Sequence, residues 1–255
     1  VLQETVIIKV KKTTVKPEFI NITSSSTSLF SDLKRFNESY DTVVSRNTFV
    51  YLVTNENDAA ILSMINRFDK TLLDINLRMQ TGLIVDFRTR EVLRNQLEED
   101  SYPLLYSQHI KNGRVVWPLG KEGEVIKTDR RSFLQENSDF LMVKRFTSKE
   151  EERRLQCGIY LKQRFPQFQY ISTQNKINFI KCDSTCIAYG LFVLLNSSFY
   201  DKYYRILNGS TQVNSTEINQ MPVPDRALIE NMGRDLIHKE LSVANCNEIF
   251  TKWIN

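Results

Sequence analysis

The sequence predicts an α+β fold, with antiparallel or mixed β-sheets and flanking helices. Short runs of β-branched and aromatic residues alternate with polar residues, which is typical of half-buried strands. Apolar residues recur at intervals of three and four in segments toward both ends, which predicts amphipathic helices. Asn112-Gly113 stands between two apolar runs within residues 102–118 and predicts a β-hairpin. Such a mixture is typical of α+β proteins.

The N-terminal quarter of the chain is predicted to begin with a hairpin. Residues 4–10 and 18–23 have strand-like alternation and flank a basic turn, whereas the Ser/Thr-rich residues 23–31 predict a loop. Residues 48–53 are predicted to form a further strand. A helix is predicted to begin near residues 55–58, where Asn or Asp can cap it. The predicted buried face of this helix consists of Ala60, Ile61, Met64, Ile65 and Phe68.

The central part of the chain is predicted to be mostly strand. Residues 81–88 are entered through a glycine and are predicted to form one strand, and residues 140–146 are predicted to form another. Residues 148–151 match a capping box, which would begin a helix. Residues 155–161 and 169–181 nevertheless have strand-like composition, so we favour strands and treat the charged run as a turn.

The C-terminal part is predicted to contain two helices that flank a polar loop. An apolar and aromatic run between residues 191 and 206 has helical spacing. The loop at residues 208–214 is dense in donors and acceptors, and Pro222 and Pro224 bar a helix or inner strand beyond it. This loop suits recognition of a polar surface, because its side chains can donate and accept hydrogen bonds. The alternative is a glycine that caps the preceding helix, followed by an ordinary turn. Residues 226–254 are predicted to form one amphipathic helix with Leu228, Met232, Leu236 and Ile237 inside.

Composition describes an ordinary globular protein without a membrane segment. The chain has 255 residues, 41% hydrophobic and 25% charged, with a net charge of +4 that is compatible with nucleic acid. No apolar run approaches the roughly 20 residues of a membrane span. Four cysteines make no disulfide framework and two histidines have no metal-ligand spacing to them, so we expect a cytoplasmic protein without a metal site. The absence of an initiator Met suggests a piece of a longer protein.

The sequence contains none of the common catalytic or cofactor-binding motifs. No glycines stand in a G-x-G arrangement, which a nucleotide or methyl-donor cofactor normally needs at a strand-to-helix turn. P-loop, G-x-S-x-G and H-E-x-x-H motifs are also absent. We therefore expect no catalytic residues and no bound cofactor in this chain.

Four segments together carry a resemblance to a known family. They are TGLIVDFR (81–88), HIKNGRVVWP (109–118), FLMVKRFTSKEEERR (140–154) and GSTQVNSTEINQMPVP (209–224), in that order. This pattern resembles the C-terminal half of adenine-N6 DNA methyltransferases of the BsuBI/PstI type from restriction–modification systems, and the opening residues 1–8 resemble the hairpin that ends the catalytic domain of that family. The N-terminal half, with its glycine motif and catalytic Asn-Pro-Pro-Tyr/Phe, has no counterpart here.

The resemblance implies a target-recognition part without the catalytic domain. Its partners would be double-stranded DNA and the N-terminal methyltransferase domain of the same protein, which uses S-adenosylmethionine. The chain would divide into the end of the catalytic domain (1–54), a DNA target-recognition domain (55–225) and a C-terminal helix (226–255). A separate specificity subunit of a multi-subunit restriction system and a protein-interaction domain without a nucleic-acid role remain alternatives.

The resemblance also implies a set of DNA-contacting residues. Two basic pairs would contact phosphates. The alternative for these pairs is that they are solvent-exposed charges balanced by the neighbouring glutamates. Two arginines at a strand exit would contact bases or the DNA backbone. The polar loop would supply side-chain donors and acceptors. An arginine in the hairpin would also contact DNA, the alternative being that its side chain only extends from a strand edge to reach solvent. His109 and Trp117 are interpreted as structural. The candidates are Lys144, Arg145, Arg153, Arg154, Arg88, Arg90, Ser210, Thr211, Gln212, Asn214 and Arg114.

Overall fold

Short strands alternate with helices along the chain, and the computed structural model describes residues 7–44, 49–148 and 150–254. Within these ranges the strands are β1 Phe19–Ser24, β2 Lys34–Ser39, β3 Met79–Thr81, β4 Leu93–Arg94, β5 Ser101–Leu105, β6 Ile110–Lys111, β7 Arg114–Val115, β8 Val125–Lys127, β9 Gln135–Glu136, β10 Asp139–Lys144, β11 Cys157–Tyr160, β12 Tyr170–Thr173 and β13 Ile177–Cys182. The helices are α1 Tyr40–Val43, α2 Glu56–Asn66, α3 Thr185–Asn196, α4 Ser198–Leu207, α5 Ser215–Gln220, α6 Arg226–Leu236 and α7 Val243–Ile254. The predicted α+β class is confirmed.

The strands of the described ranges form one hairpin and two larger sheets. The hairpin pairs β1 with β2. A six-stranded sheet has the order β3-β13-β10-β11-β7-β6, and a five-stranded sheet has the order β4-β8-β5-β12-β9. Most pairs are antiparallel, but β7 runs parallel to β11 and β5 runs parallel to β12. The predicted antiparallel and mixed pairing is therefore confirmed.

The N-terminal hairpin is displaced along the chain from its predicted position. The Ser/Thr-rich loop joins β1 to β2, with Phe19 opposite Ser39 and Ser24 opposite Lys34. Of the strand predicted at residues 4–10, residues 4–6 lie outside the described ranges, and residues 7–10 are exposed and form no strand. The prediction was wrong for residues 7–10 because the edge of β1 pairs with the following segment instead.

The strand predicted at residues 48–53 is also not formed. Thr48 lies outside the described ranges, and Val50 makes only an isolated bridge with Val44. The backbone N–H of Leu52 donates to the carbonyl oxygen of Ile206, at the end of α4. The segment is therefore apolar because it packs against a helix, not because it belongs to a sheet.

Helix α2 begins where the sequence predicts. The Asn55 side chain caps it by accepting a hydrogen bond from the backbone N–H of Asp58. The buried face is centred on Leu62 and Ile65, while Ala60 is exposed. The other predicted positions, Ile61, Met64 and Phe68, are half-buried. The predicted face was therefore wrong at Ala60 and missed Leu62.

The strand predicted at residues 81–88 is mostly absent because the chain changes sheets there. Strand β3 ends at Thr81, and a Cβ on Gly82 would lie 2.1 Å from the carbonyl oxygen of Gln174. Ile84 then bridges Gln174, which adjoins the other sheet, and Asp86–Arg88 form a 3₁₀ turn. Only glycine permits so close a backbone approach, so it marks a crossover.

The predicted strands farther along the chain are present but shorter. Strand β10 lies between β11 and β13, and the 148–151 segment begins no helix among its described residues. The strand predicted at residues 169–181 is divided by a turn at 174–176 into β12 and β13, which belong to different sheets. A continuous apolar pattern does not reveal such a switch, because both strands are buried.

Both long helices predicted near the C-terminus are interrupted. Ser197 separates α3 from α4 and caps the latter through its hydroxyl, and residues 237–242 separate α6 from α7. Met232 and Leu236 are buried as predicted, and Leu228 and Ile237 are half-buried. Helix α3 is buried on nearly all sides, since it packs on β10 and β11 and is covered by α6 and α7. No helix in the described ranges is long and apolar enough to cross a bilayer.

The predicted hairpin at Asn112-Gly113 is confirmed. It joins β6 to β7, and both turn residues have positive φ angles, 48° and 75°. This is the backbone that a two-residue type I′ turn requires. Trp117 beside the hairpin is a core residue, as predicted.

His109 is a buried structural residue, which confirms its interpretation from the sequence. Its Nδ1 accepts a hydrogen bond from the Tyr106 backbone N–H at 2.8 Å, so the neutral ring carries its proton on Nε2. That nitrogen lies 3.0 Å from Oε2 of the buried Glu124. Burial lowers the pKa of His109 despite this carboxylate. Burial by itself would raise the pKa of Glu124, but hydrogen bonds, that from His109 first, outweigh it and lower the pKa.

This pair predicts that acidification destabilises the fold. Folding lowers the pKa of His109, so at pH values below about 6.5, the ordinary pKa of histidine, the unfolded chain binds more protons than the folded chain. The free energy of unfolding therefore decreases as the pH is lowered below about 6.5. The lowered pKa of Glu124 adds a further loss of stability at lower pH. Urea unfolding between about pH 8 and pH 5 is the measurement. We expect the free energy of unfolding to fall less steeply for His109→Gln than for wild type, and equal slopes would contradict the assignment.

Candidate nucleic-acid interface

Three segments meet at one end of the six-stranded sheet. They are the exit of β10, the turn between β12 and β13, and the loop after α4. The backbone N–H of Arg145 donates to the carbonyl of Lys176 at 2.9 Å, and the N–H of Val213 donates to the carbonyl of Arg145 at 2.7 Å. Phe146 and Gln212 form an isolated antiparallel bridge. We call the face formed by Thr81, Arg145, Phe146, Lys176, Ser210, Thr211, Gln212, Asn214 and Thr216 the sheet-end surface.

Arg145 is the central cation of this surface. Its Nη1 donates to the carbonyl oxygen of Asn175 at 3.1 Å, and its guanidinium lies 5.4 Å from the ring centre of Phe146. Phe146 is 44% exposed, so its ring lies at the surface beside this cation. One hydrogen bond and one ring contact thus orient the guanidinium, and its other N–H groups have no partner within the described ranges.

The polar loop is held from beneath by a buried network. The Tyr204 hydroxyl lies 2.7 Å from Oε2 of Glu217 and 3.2 Å from the carbonyl oxygen of Gln212, and it accepts from the Asn214 backbone N–H at 3.0 Å. The Asn208 side-chain amide donates to the same Glu217 oxygen. Burial, first, and the Glu217 hydrogen bond raise the pKa of Tyr204, which therefore stays protonated. These bonds hold the backbone of Gln212 and Asn214 in place above Tyr204 and Glu217.

The predicted loop residues all reach the sheet-end surface. Ser210 and Thr211 are exposed, and Gln212 and Asn214 are half-buried. The Ser210 hydroxyl and the Gln212 backbone bond each other, which shapes the turn. The side chains of Thr211 and Gln212 have no hydrogen-bond partner in the part of the chain that the structure describes.

Lys176 belongs to this surface but was not among the sequence candidates. It is exposed, and its ammonium has no ion-pair partner within the described ranges. Its backbone N–H donates to the Gln174 side chain at 2.8 Å, which fixes the turn. The signal that could have found it is the polar triplet at residues 174–176, which interrupts an apolar run and so indicates a turn.

Lys144, Arg88 and Arg90 are not members of the sheet-end surface, and they differ in exposure. Lys144 is half-buried and its Nζ donates to Gln156 Oε1 at 2.8 Å. Arg88 and Arg90 are exposed, and Arg88 lies 5.4 Å from the ring centre of Phe87. The Ile84 carbonyl accepts from the Asn175 backbone N–H at 2.7 Å, and four residues span at most about 14 Å, so the Arg88 backbone lies within about 14 Å of Ile84.

Arg154 is turned inward and does not reach the surface, contrary to the DNA contact predicted for it. The side chain is among the largest fully buried ones, with 1% of the residue exposed. Its Nη1 and Nη2 each lie 2.5 Å from a backbone carbonyl oxygen, those of Thr147 and Ser210. This burial leaves no donor for DNA. Arg154 instead ties the segment after β10 to the polar loop.

Arg153 and Arg114 lie outside the sheet-end surface. Nη2 of the half-buried Arg153 donates to the Ser197 carbonyl at 3.2 Å and lies 3.9 Å from Asp201 Oδ1. Arg114 is half-buried in β7, and its Nη1 lies 3.5 Å from the Tyr189 hydroxyl. The structure therefore gathers Arg145 and the polar loop in one place but does not bring these two arginines to them.

The described ranges contain neither a metal-binding cluster nor, at the junction of β13 and α3, a glycine turn for a cofactor. There, no group of three or more His, Cys, Asp or Glu side chains is placed to hold a metal ion. The junction between β13 and α3 is made by Asp183 and Ser184, so the glycine turn that a methyl donor needs is missing at this strand-to-helix step. The residues present do not fit S-adenosylmethionine.

Comparison with known proteins finds two curated relatives. The type II methyltransferase M.PstI of Providencia stuartii is 29% identical over 266 residues, which cover 99% of this chain and 52% of that protein. The type II methyltransferase M.BsuBI of Bacillus subtilis is 32% identical over 246 residues, which cover 93% of this chain and 49% of that protein. No protein-family model matches the chain. The chain thus spans about half the length of these relatives and corresponds to their C-terminal part.

Two solved structures are similar at a lower level. The type IIG restriction endonuclease BpuSI has a TM-score of 0.45 at 9% identity and covers 88% of this chain and 36% of its own. A chain of a type I R-M system has a TM-score of 0.42 at 9% identity and covers 78% of this chain and 51% of its own. Both scores are too low to establish a common fold.

Proposed function

We propose that this chain, a homologue of the C-terminal part of type II restriction–modification methyltransferases, recognises double-stranded DNA through the sheet-end surface. The observation that carries the proposal is the meeting of Arg145, Lys176 and the polar loop at one face. Cations attract phosphates without reading sequence, whereas fixed amides and hydroxyls reach base edges. One surface thus combines the two kinds of contact that site-specific binding requires.

The methyl transfer itself would belong to the other half of the protein. The N6 atom of an adenine is buried within the duplex, so the base must leave the stack before it can be methylated. A second unit must hold and read the duplex meanwhile, and we assign that task to this chain. S-adenosylmethionine would bind in the N-terminal methyltransferase domain, since the residues described here do not fit it.

The division of labour along the chain follows from the same proposal. Residues 1–54 would end the catalytic domain, residues 55–225 would form the recognition domain, and residues 226–255 would close it with helices. Packing of α6 and α7 on α3 makes these helices a support for the sheet that carries the surface. The cysteines of the described ranges are unpaired, which fits the reducing cytoplasm where such a protein would act.

Salt-dependent binding to duplex DNA tests the proposal. Removing one phosphate contact reduces the slope of log K against log salt concentration by about 0.9. Lys176 lies in the sheet-end surface, and we propose that the exposed Arg88, whose backbone lies within about 14 Å of Ile84, extends the phosphate contacts beside it. The Arg88→Ala/Lys176→Ala double variant should then bind random duplexes with a slope shallower than wild type by about 1.8. Fluorescence anisotropy with labelled duplexes across a salt series measures this.

A matched double variant at the opposite end of the same sheet serves as the control. Lys181 lies five residues along β13 from Lys176, about 17 Å away, and the exposed Lys162 follows β11 at that same end. Lys162→Ala/Lys181→Ala removes the same charge and should leave the slope near that of wild type. Equal slopes for the two double variants, or no DNA binding at the lowest salt concentration, would overturn the proposal.

A further inference from the structure

A polar cleft opens within the sheet-end surface, between the ends of β3 and β10 and helix α5. Its volume is about 380 Å³, and its lining residues are all half-buried or exposed. These residues are Thr81, Arg145, Asn214, Ser215, Thr216 and Glu217. A cleft that is this open does not enclose a small ligand, but it can receive one edge of a larger molecule.

The guanidinium of Arg145 offers a free pair of donors to this cleft. Arginine carries five N–H groups, and only the hydrogen bond from Nη1 to the Asn175 carbonyl uses one of them within the described ranges. The Phe146 ring packs beside the guanidinium, with 5.4 Å between the ring centre and Cζ of Arg145. Arg145 can therefore present two parallel N–H groups to a ligand with two adjacent acceptors.

The side chain of Asn214 offers an acceptor beside those donors. Its Nδ2 donates to Glu217 Oε1 at 3.1 Å, and a carboxylate only accepts, so the amide oxygen must point away from Glu217. That oxygen has no donor within the described ranges. Arg145 and Asn214 line the same cleft, and Asn214 directly follows Val213, whose backbone N–H donates to the Arg145 carbonyl at 2.7 Å.

The charge of the cleft argues against a phosphate as its ligand. Arg145 contributes one positive charge, and the Glu217 carboxylate contributes one negative charge to the same lining. Tyr204 and Asn208 hold the second Glu217 oxygen from beneath, so this carboxylate cannot swing away. An uncharged ligand edge with matching hydrogen-bonding groups fits a cleft of this kind.

Two donors next to one acceptor are the complement of one base pair. In the major groove, guanine presents N7 and O6 as adjacent acceptors and its partner cytosine presents the N4 amino group as a donor. An A·T pair presents acceptor, donor and acceptor instead. Resting on the DNA recognition proposed above, we infer that this cleft reads a G·C pair, with Arg145 on guanine and Asn214 Oδ1 on the cytosine N4 amino group.

Selection from a random duplex pool tests the inference. Wild type, Arg145→Lys and Asn214→Ala are each incubated with the pool, and the bound duplexes are sequenced. Arg145→Lys keeps the charge but replaces the rigid planar fork by a single flexible ammonium, so it preserves phosphate attraction and weakens the paired contact with guanine N7 and O6. We expect wild type to select a motif, and both variants to reduce the preference for one and the same G·C pair by about 10- to 100-fold. Thr251→Ala, at an exposed position of α7 outside the sheet-end surface, should keep the full preference.

A base analogue then assigns the contact to atoms. In the selected duplex, 7-deazaguanine at that pair removes the N7 acceptor, which should weaken wild type about tenfold and weaken Arg145→Lys by less. Suppose that wild type still selects a motif but the two variants lose preference at an A·T pair, at two different pairs or at no pair. Any of these results would overturn the inference and leave DNA recognition intact. Failure of wild type to bind any duplex would overturn both.

Discussion

Replacing Gly190 by alanine is expected to lower the free energy of unfolding by about 3 kcal/mol or more. A Cβ at this position would lie 1.9 Å from the carbonyl oxygen of Ile229 in α6. At the same crossing, a Cβ on Gly233 would lie 1.9 Å from the carbonyl oxygen of Cys186 in α3. The backbones of α3 and α6 thus touch directly, and a methyl group must push the two helices apart.

The sign of this effect separates packing from helix propensity. In a helix that makes no close contact, a glycine-to-alanine change stabilises by about 1 kcal/mol. Urea unfolding of Gly190→Ala measures which influence prevails. Ala227→Ser, on an exposed position of α6, is the control and should stay within about 0.5 kcal/mol of wild type. A stabilised Gly190→Ala variant would show that the helices do not cross in this way.

The helices themselves could be predicted from the sequence, but their crossing could not. Periodicity located the apolar segments that became α3, α4, α6 and α7, because a buried face repeats every 3.6 residues. It did not find the breaks at Ser197 and at 237–242, since the apolar pattern continues through them. It also could not show that α3 is covered on nearly all sides, which depends on partners that lie far away in the sequence.

The candidate site shows the same division between local and distant information. The polar loop and Arg145 were found from residue types and from the order of four motifs. That they touch depends on the bridge between Phe146 and Gln212, a long-range pairing that no local pattern encodes. Lys176 was missed because residues 169–181 were predicted as one strand, so a turn residue was assigned to the interior of a sheet.

Two adjacent arginines illustrate most clearly what the sequence leaves undecided. Arg153 and Arg154 have the same chemistry and the same neighbours, yet one is half-buried and the other is fully buried. The direction of each side chain is set by the carbonyl groups it can reach. For Arg154 these belong to Thr147 and to Ser210, which is distant in the sequence.

Replacing Arg154 by methionine is therefore expected to destabilise the fold by about 2–4 kcal/mol. Methionine keeps a long apolar stem but leaves the carbonyls of Thr147 and Ser210 without their donor in a buried place. Urea unfolding measures the decrease. Arg88→Met, at an exposed position with the same change of residue, is the control and should stay within about 0.5 kcal/mol.

The same variant separates a structural arginine from a DNA-contacting one. If Arg154 acts within the fold, the folded Arg154→Met variant should keep the wild-type slope of log K against log salt concentration, since every phosphate contact remains in place. Any reduction in affinity should then come from displacement of the polar loop, which Arg154 anchors through the Ser210 carbonyl. Unchanged stability together with a slope reduced by about 0.9 would instead place Arg154 at the DNA. Because the guanidinium is buried, we expect the first outcome.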